Sequence, residues 1–329
     1  YGGSAWKTVL VTPLGAGGRG VFALDITKNF AANSFDGSDV LWEFDGANAT
    51  AGSTLNDMGY PVGSAAIGRF NDGKYYAVFG NGYGSVNCKS GLFMVQIDAP
   101  SNVKFFDTGV GACTTSATQN GMSTPRLVDY DGDRIIDAIF AGDLLGNLWK
   151  FDVSTGTWGI ALGGSPMFTA VGQPITAPVE VGPAPADSSG KAMIYFGTGR
   201  YLLSGDELDK TKQAFYGLLD EDKVVTGTKL VKQSIVYEDA NARVVSSGTV
   251  NWASKQGWYL DLVPPSGTLQ GERVLSVPLL RYGRVIFNTS IPSADPCVLG
   301  GTGWLMELDA ATGGNLTYNA LDMNNDNSI

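Results

Sequence analysis

The sequence predicts an all-β fold, a β-propeller of four-stranded antiparallel blades, on three observations. The acidic residues are skewed, with 25 Asp but only 7 Glu among 329 residues. Asp favours turns, whereas Glu favours helices. The chain also holds 45 Gly and 14 Pro, a composition typical of many short strands joined by turns. The third observation is a strand motif that recurs along the chain.

The recurring motif consists of Gly or a polar residue, an aromatic residue, an apolar stretch and a final Asp. Its spacing of about 40 to 75 residues is expected for blades with loop insertions of variable length. The six copies lie at residues 20–25, 91–98, 146–152, 214–220, 257–261 and 303–309.

Further strands surround most copies of the motif. A β-rich run ending in glycine tends to precede them, with 284–288, which ends in Asn, as a fourth such run, and another strand precedes the run. A turn and a fourth strand follow the Asp, which completes a four-stranded antiparallel blade. The β-rich runs lie at 75–80, 137–142, 192–197 and 284–288, and the strands before them at 61–70, 125–130, 174–181 and 274–280.

We therefore expect a single propeller domain over residues 1–329, with about six recognisable blades and a seventh completed from both ends. The stretch 221–256 is the least regular and is a candidate for a degraded blade. The alternative is a β-sandwich with accidental similarity between its strands. The chain begins at Tyr1 without a Met, which suggests a mature product or an excised domain of a larger protein.

Composition excludes several classes of function. The net charge of −10 disfavours nucleic acid and anionic lipid as partners. No apolar run approaches the roughly 18 residues of a membrane span. The sequence has no His, which excludes Ser-His-Asp catalysis, His-ligated zinc and a His general base in this chain. We expect a protein that is not an enzyme.

The three cysteines form no CxxC pair. Cys88 and Cys113 flank one strand pair and predict a disulfide, which would place the protein in an oxidising compartment. The alternative is two free thiols. Cys297 is then left over, and its partner would lie outside the chain.

One turn between predicted strands carries a distinctive acidic pattern. Residues 129–137 read D-x-D-G-D-x-x-x-D, where the preceding blade has only Asn-Asp-Gly-Lys at 71–74. Calcium takes six to eight oxygen ligands, and a tight loop supplies them from alternating positions. The predicted ligands are the carboxylates of Asp129, Asp131, Asp133 and Asp137 and the backbone carbonyl of Ile135. The alternative is a solvated acidic turn without metal.

The loop departs from an EF-hand in two ways. Its sixth position is Arg134 rather than Gly, and its twelfth is Phe140 rather than Glu. The flanking segments also read as strands, so we expect a calcium-stapled β-hairpin. A weaker candidate with the same alternation lies at 322–328, but the sequence ends before its ninth position.

Six segments carry a resemblance to a known family, at residues 6–11, 15–25, 123–128, 141–144, 146–152 and 195–202. The resemblance covers nearly the whole chain and includes the blade that carries the acidic loop. These segments resemble the C-terminal propeller of the PilC/PilY family of type IV pilus biogenesis factors and tip-associated adhesins.

The resemblance implies a C-terminal fragment of a larger protein that passes through the periplasm and is secreted or displayed at the cell surface, associated with the pilus. It implies calcium binding at 129–137, promotion of pilus extension by opposing retraction, twitching motility and adhesion. The implied partners are minor pilins and an unidentified host or surface ligand.

Two other functions compete with this interpretation. One is a generic carbohydrate- or protein-binding propeller, with Tyr83 or Tyr201 as candidate contacts. The other is a quinoprotein-like dehydrogenase, because the turns at 152–156 and 309–313 resemble docking turns of those propellers. The missing vicinal Cys pair speaks against the dehydrogenase.

Overall fold

The computed structural model describes residues 6–27, 36–45, 54–293, 295 and 300–316. The helical segments in this part of the chain are short 3₁₀ turns, at Gly15–Gly17, Gly37–Asp39, Thr54–Asp57, Leu162–Gly164 and Gly227–Lys229. The strands are β1 (Val9–Pro13), β2 (Gly20–Asp25), β3 (Val40–Asp45), β4 (Ala66–Arg69), β5 (Tyr75–Gly80), β6 (Gly91–Gln96), β7 (Val103–Asp107), β8 (Arg126–Val128), β9 (Ala138–Gly142), β10 (Asn147–Asp152), β11 (Gly159–Ile160), β12 (Phe168–Thr169), β13 (Glu180–Pro183), β14 (Ala192–Gly197), β15 (Ala214–Asp220), β16 (Leu230–Gln233), β17 (Ile235–Glu238), β18 (Arg243–Val245), β19 (Gly257–Asp261), β20 (Leu279–Arg281), β21 (Arg284–Asn288) and β22 (Leu305–Asp309).

The chain folds into two compact units, Tyr1–Val171 and Gly172–Ile329. The described strands of the first unit form the sheets β1-β2-β3, β4-β5-β6-β7 and β11-β10-β9-β8, with β12 also paired to β10. Those of the second unit form β13-β14-β15-β19-β16, β17-β18 and β20-β21-β22. The pairing is antiparallel except between β16 and β19. A single domain over 1–329 and the number of blades stay predictions.

All six copies of the motif contain strands, namely β2, β6, β10, β15, β19 and β22. The final Asp has a shared physical role in four of them. Its side chain accepts a hydrogen bond from a backbone N–H two or three residues later and so stabilises the turn that follows. These residues are Asp25, Asp152, Asp220 and Asp309.

The copy at 257–261 differs from the expected arrangement. It begins no sheet of its own, because β19 pairs antiparallel with β15, the preceding copy. The irregular stretch 221–256 supplies β16 on the other side of β19 and the separate hairpin β17-β18. Three predicted strands are also shorter and begin later than expected. Those predicted at 61–70, 174–181 and 274–280 begin at Ala66, Glu180 and Leu279.

Two hydrophobic cores lie between neighbouring sheets of the first unit. One includes Trp42, Phe44, Phe79 and Phe93, and the other includes Phe70, Tyr76, Trp149 and Phe151. The second unit has its own core, in which the rings of Phe215 and Phe287 stack with centroids 3.9 Å apart. Apolar faces buried between stacked sheets are the packing expected of blades.

The predicted disulfide is confirmed, with Cys88 and Cys113 bonded and their Cα atoms 5.3 Å apart. Cys297 lies outside the described residues. In the part of the chain described here, no helix has the length and apolar character needed to cross a membrane.

Candidate metal centre

The acidic loop at 129–137 joins β8 to β9 and lies on the first unit. In the preceding sheet, residues 71–74 occupy the same position between β4 and β5. The two turns differ in length and charge, since only the longer one carries four carboxylates. The longer turn can therefore bring several carboxylates together while β8 and β9 remain paired.

Backbone N–H groups of the loop point at its own carboxylates. Both oxygens of Asp129 accept hydrogen bonds, from the N–H of Gly132 at 2.7 Å and of Arg134 at 2.8 Å. Asp137 closes the loop by accepting from the N–H of Tyr130 at 2.8 Å. These hydrogen bonds within the loop hold its backbone around the carboxylates of Asp129 and Asp137.

Three carboxylates converge in this loop. One oxygen from each of Asp129, Asp131 and Asp137 lies within 4.8 Å of the others. Calcium binds oxygen at about 2.3–2.6 Å, so two oxygens on one ion are at most about 5 Å apart. The cluster therefore fits a single cation of that size. Carboxylates so close together repel one another unless a cation or protons compensate.

The other two predicted ligands, Asp133 and Ile135, do not belong to this group of three carboxylates. Asp133 is exposed and stands outside this group of three, and its Oδ1 accepts the N–H of Ile135 at 2.7 Å. This bond holds the Arg134–Ile135 peptide, which precedes the peptide that contains the Ile135 carbonyl. The roles of Asp133 and Ile135 as ligands stay predictions.

Two residues in the left-handed region give the loop its sharp turn. Gly132 has φ of +82° and Arg134 has φ of +70°. Arg134 is the sixth position of the loop, where the EF-hand has Gly for its own sharp turn. The backbone at this position thus resembles an EF-hand, although the residue type does not. A non-Gly residue in this conformation is unusual and strained.

The loop is also anchored on its surroundings. The N–H of Ile136 donates to the carbonyl of Arg69, on β4 of the neighbouring sheet, at 2.9 Å. The carbonyl of Asp137 accepts the N–H of Val153 at 2.9 Å, so the turn after β10 rests on the loop. Reading the sequence gave no indication of either contact, since both join segments far apart in the chain.

Hydrogen bonding lowers the pKa of one predicted ligand, Asp129. Desolvation alone would raise the pKa of the Asp129 carboxyl, but the N–H groups of Arg134 and Gly132 outweigh it. The pKa of Asp129 therefore lies below its ordinary value of 3.8. The side chain is thus held in the ionised form that a metal requires.

Within the part of the chain that the structure describes, the other residues singled out from the sequence form no second acidic cluster. The candidate loop at 322–328 lies outside the described residues. Tyr83 has a buried hydroxyl, whereas Tyr201 is 52% exposed on a loop of the second unit. The turns at 152–156 and 309–313 are held by the side chains of Asp152 and Asp309.

Comparison with known proteins identifies the family. The model of the PilY1 β-propeller domain matches residues 1–238. A type IV pilus biogenesis factor PilY1 homolog from Xylella fastidiosa is 37% identical over 95% of this chain and 22% of its own length. Type IV pilus biogenesis factor PilY1 from Pseudomonas aeruginosa is 31% identical over 98% of this chain and 30% of its own.

A solved structure agrees with these relatives. The crystal structure of the P. aeruginosa PilY1 C-terminal domain superimposes with a TM-score of 0.83 at 28% identity, over 100% of this chain and 72% of that one. The prediction of an all-β propeller is thereby confirmed. The chain spans less than a third of the length of the curated relatives named above. It belongs to the PilY1 β-propeller family.

Proposed function

We propose that this chain is the calcium-binding propeller of a type IV pilus biogenesis factor. The observation that carries the proposal is the convergence of Asp129, Asp131 and Asp137 within 4.8 Å on one hairpin loop. The donors are all oxygens, which suit calcium or magnesium rather than zinc or copper. Magnesium demands near-ideal octahedral geometry, whereas calcium accepts the irregular shell that a winding loop offers.

Each proposed ligand would supply an oxygen atom from a different position of the loop. Asp129, Asp131 and Asp133 would each supply a carboxylate oxygen, Ile135 its backbone carbonyl, and Asp137 the closing carboxylate. Bound calcium would cancel the repulsion among these groups and stiffen the loop between β8 and β9. Because Val153 and Arg69 bond to the same loop, its stiffness would extend to two neighbouring segments.

The proposed role in the cell rests on the family. The relatives are named type IV pilus biogenesis factors. We propose that this chain promotes pilus extension by opposing retraction, with calcium occupancy setting the balance, and so supports twitching motility and attachment. Its partners would be pilus components such as minor pilins and an unidentified surface ligand. It would act at the cell surface, on the pilus, and not as an enzyme.

The test is to place Asp137→Ala in the full-length protein and count surface pili. The predicted result is few pili, as if retraction were unopposed, and recovery of pili when retraction is disabled genetically. Asp187→Ala is the matched control, because Asp187 is exposed in a hairpin turn of the second unit. Normal piliation by an Asp137→Ala protein shown to lack calcium would refute the switch and leave the ion as a structural staple.

A further inference from the structure

A cleft lies between the second and third sheets of the first unit. Its volume is about 560 Å³, within the range of small-molecule sites. One wall is formed by the β4–β5 turn and by Lys104 and Phe106, which share a face of β7. The other wall is the turn that follows β10, from Ser154 to Trp158. The β4–β5 turn and the turn after β10 lie next to Arg69 and Val153, which are hydrogen-bonded to the acidic loop.

Trp158 gives the cleft an aromatic surface that is held in place. Its ring is half-buried and packs against Phe70 and Tyr76, with centroids 5.1 Å and 5.4 Å away. Its indole Nε1 donates to Oδ1 of Asn71 at 3.0 Å, while Nδ2 of Asn71 donates to the carbonyl of Val153 at 3.2 Å. Asn71 is therefore a positioning residue that fixes the ring before any ligand arrives.

Around this ring the cleft is polar. Asp72 is exposed, and each of its oxygens accepts one bond, from the Lys74 N–H and from the Tyr76 hydroxyl. A carboxylate has about four acceptor sites, so Asp72 can accept further bonds from ligand hydroxyls. Ser154 and Thr155 add two exposed hydroxyls on the opposite wall. A rigid aromatic ring surrounded by acceptors and hydroxyls suits a ligand with apolar C–H faces and many hydroxyl groups.

Lys104 adds a positive charge. Its ammonium lies 5.1 Å from the centroid of the Trp158 ring. Within the described chain it forms no ion pair, although the protein carries a net charge of −10. A cation that lies over an aromatic ring and forms no ion pair with a described residue remains available to an anionic group of a ligand.

We propose that this cleft binds an acidic saccharide, with a sugar ring against Trp158, hydroxyls on Asp72 and Ser154, and a sugar carboxylate on Lys104. The inference does not depend on calcium or on the role in the pilus. It differs from the carbohydrate contacts predicted from the sequence, Tyr83 and Tyr201, neither of which lines this cleft.

The test is calorimetric titration of the whole chain with trigalacturonate, and with maltotriose as the uncharged trisaccharide. We expect trigalacturonate to bind about tenfold more tightly than maltotriose. Lys104→Met keeps most of the apolar stem but removes the charge, and should weaken trigalacturonate about tenfold while leaving maltotriose unchanged. Trp158→Phe should weaken both sugars. Lys223→Met, an exposed lysine on the second unit, is the control and should change neither.

Three results would overturn the inference. The first is no binding of trigalacturonate at concentrations up to about 10 mM. The second is equal affinity for the two trisaccharides, which would remove the role of the sugar carboxylate. The third is unchanged affinity in both Lys104→Met and Trp158→Phe, which would place any binding elsewhere. A circular dichroism spectrum identical to the parent protein shows that each variant is folded.

Discussion

At the scale of single residues, Arg134 shows how the acidic loop turns without the glycine of an EF-hand. Its φ of +70° is a conformation that costs an L-residue roughly 1–2 kcal/mol. The N–H that this turn directs inward donates to Asp129. The strain is thus retained at the point where the backbone supports the proposed metal ligand.

Substitution of Arg134 tests this account of the turn. Arg134→Gly and Arg134→Val remove the same charge, but only Val resists the left-handed conformation. The metal-free loop can relax because its carboxylates repel, so the cost falls on the bound state. Arg134→Gly should bind calcium at least as tightly as the parent protein, and Arg134→Val about 5- to 30-fold more weakly than Arg134→Gly. Equal affinities by calorimetry would contradict this explanation.

Asp25, the last residue of the first motif copy, has a measurable consequence for stability. Hydrogen bonds from Thr27 and from the ammonium of Lys7 lower its pKa from 3.8 to about 2. A lowered pKa means that the ionised form is favoured by folding. The contribution of Asp25 to stability is therefore complete above pH 3.8 and is lost as the pH falls through about 2.

The corresponding experiment compares the parent protein with Asp25→Asn. The variant should have a smaller free energy of unfolding at about pH 5, and the difference should shrink as the pH falls toward 2. Denaturant titrations at several pH values measure this directly. Asp187→Asn, at an exposed turn, should show little change at any pH. A difference that does not vary with pH would mean that the Asp25 carboxylate is not specifically stabilised.

The acidic cluster could be predicted from the sequence because its carboxylates are close along the chain. Asp129, Asp131 and Asp137 follow a local spacing that a reader can recognise without the fold. The cleft beside Trp158 shows the opposite case, since Asn71, Lys104 and Trp158 meet only through the packing of two sheets. Local spacing cannot predict such contacts, because they depend on the register and the stacking of strands.

At the scale of elements, the acidic loop depends on a glycine in the neighbouring sheet. A Cβ at Gly68 on β4 would lie 2.7 Å from Cγ1 of Ile136 and 2.9 Å from Cδ1 of Leu127. The absence of a side chain therefore lets the loop approach β4 and bond to Arg69. This contact was also invisible in the motif itself, which begins at Asp129.

Gly68→Ala should consequently destabilise the protein by about 1–3 kcal/mol, the usual cost of overpacking, and weaken calcium binding by displacing the loop. Denaturant unfolding and calorimetry measure the two effects. Gly227→Ala is the control, because a Cβ at Gly227 meets no atom within 4 Å. A Gly68→Ala variant with the stability and calcium affinity of the parent would show that the loop is not held by this close approach.

The disulfide gives a second prediction at this scale. Cys88 and Cys113 enclose a separation of 25 residues, for which the chain-entropy model gives a stabilisation of about 3 kcal/mol. Reduction should lower the free energy of unfolding by that amount. Alkylation of the unfolded, non-reduced protein should label only Cys297, and reduction should add two labels. Three labels before reduction would disprove the bond.

Strand pairing also marks the limit of sequence analysis. The motif at 257–261 predicts a strand and the structure confirms it as β19, yet β19 pairs with β15, the preceding copy of the motif. The repeated motif predicts which residues form a strand. The partners of that strand depend on where the residues between two copies of the motif pair. Here the segment 221–256 contains β16, which pairs with β19, so that β19 lies between β15 and β16 in one sheet.

At the scale of the whole molecule, we propose that the Asp129–Asp137 loop binds calcium and that the propeller stays folded when the ion is absent. Most buried apolar residues lie in the cores between sheets, and the loop adds the partly buried Ile136 to the edge of one of them. Loss of the ion should therefore release the loop alone, as expected for a local opening. This property would let calcium regulate the protein without unfolding it.

The most direct measurement is calorimetric titration of calcium into the parent protein and into Asp137→Ala, with far-UV circular dichroism of both. Asp137→Ala should lose one equivalent of tight calcium binding and keep an unchanged far-UV spectrum. The exposed-turn variant Asp187→Ala should bind as the parent does. An Asp137→Ala protein with the calcium affinity and stoichiometry of the parent would contradict the account, because the ion would then bind elsewhere.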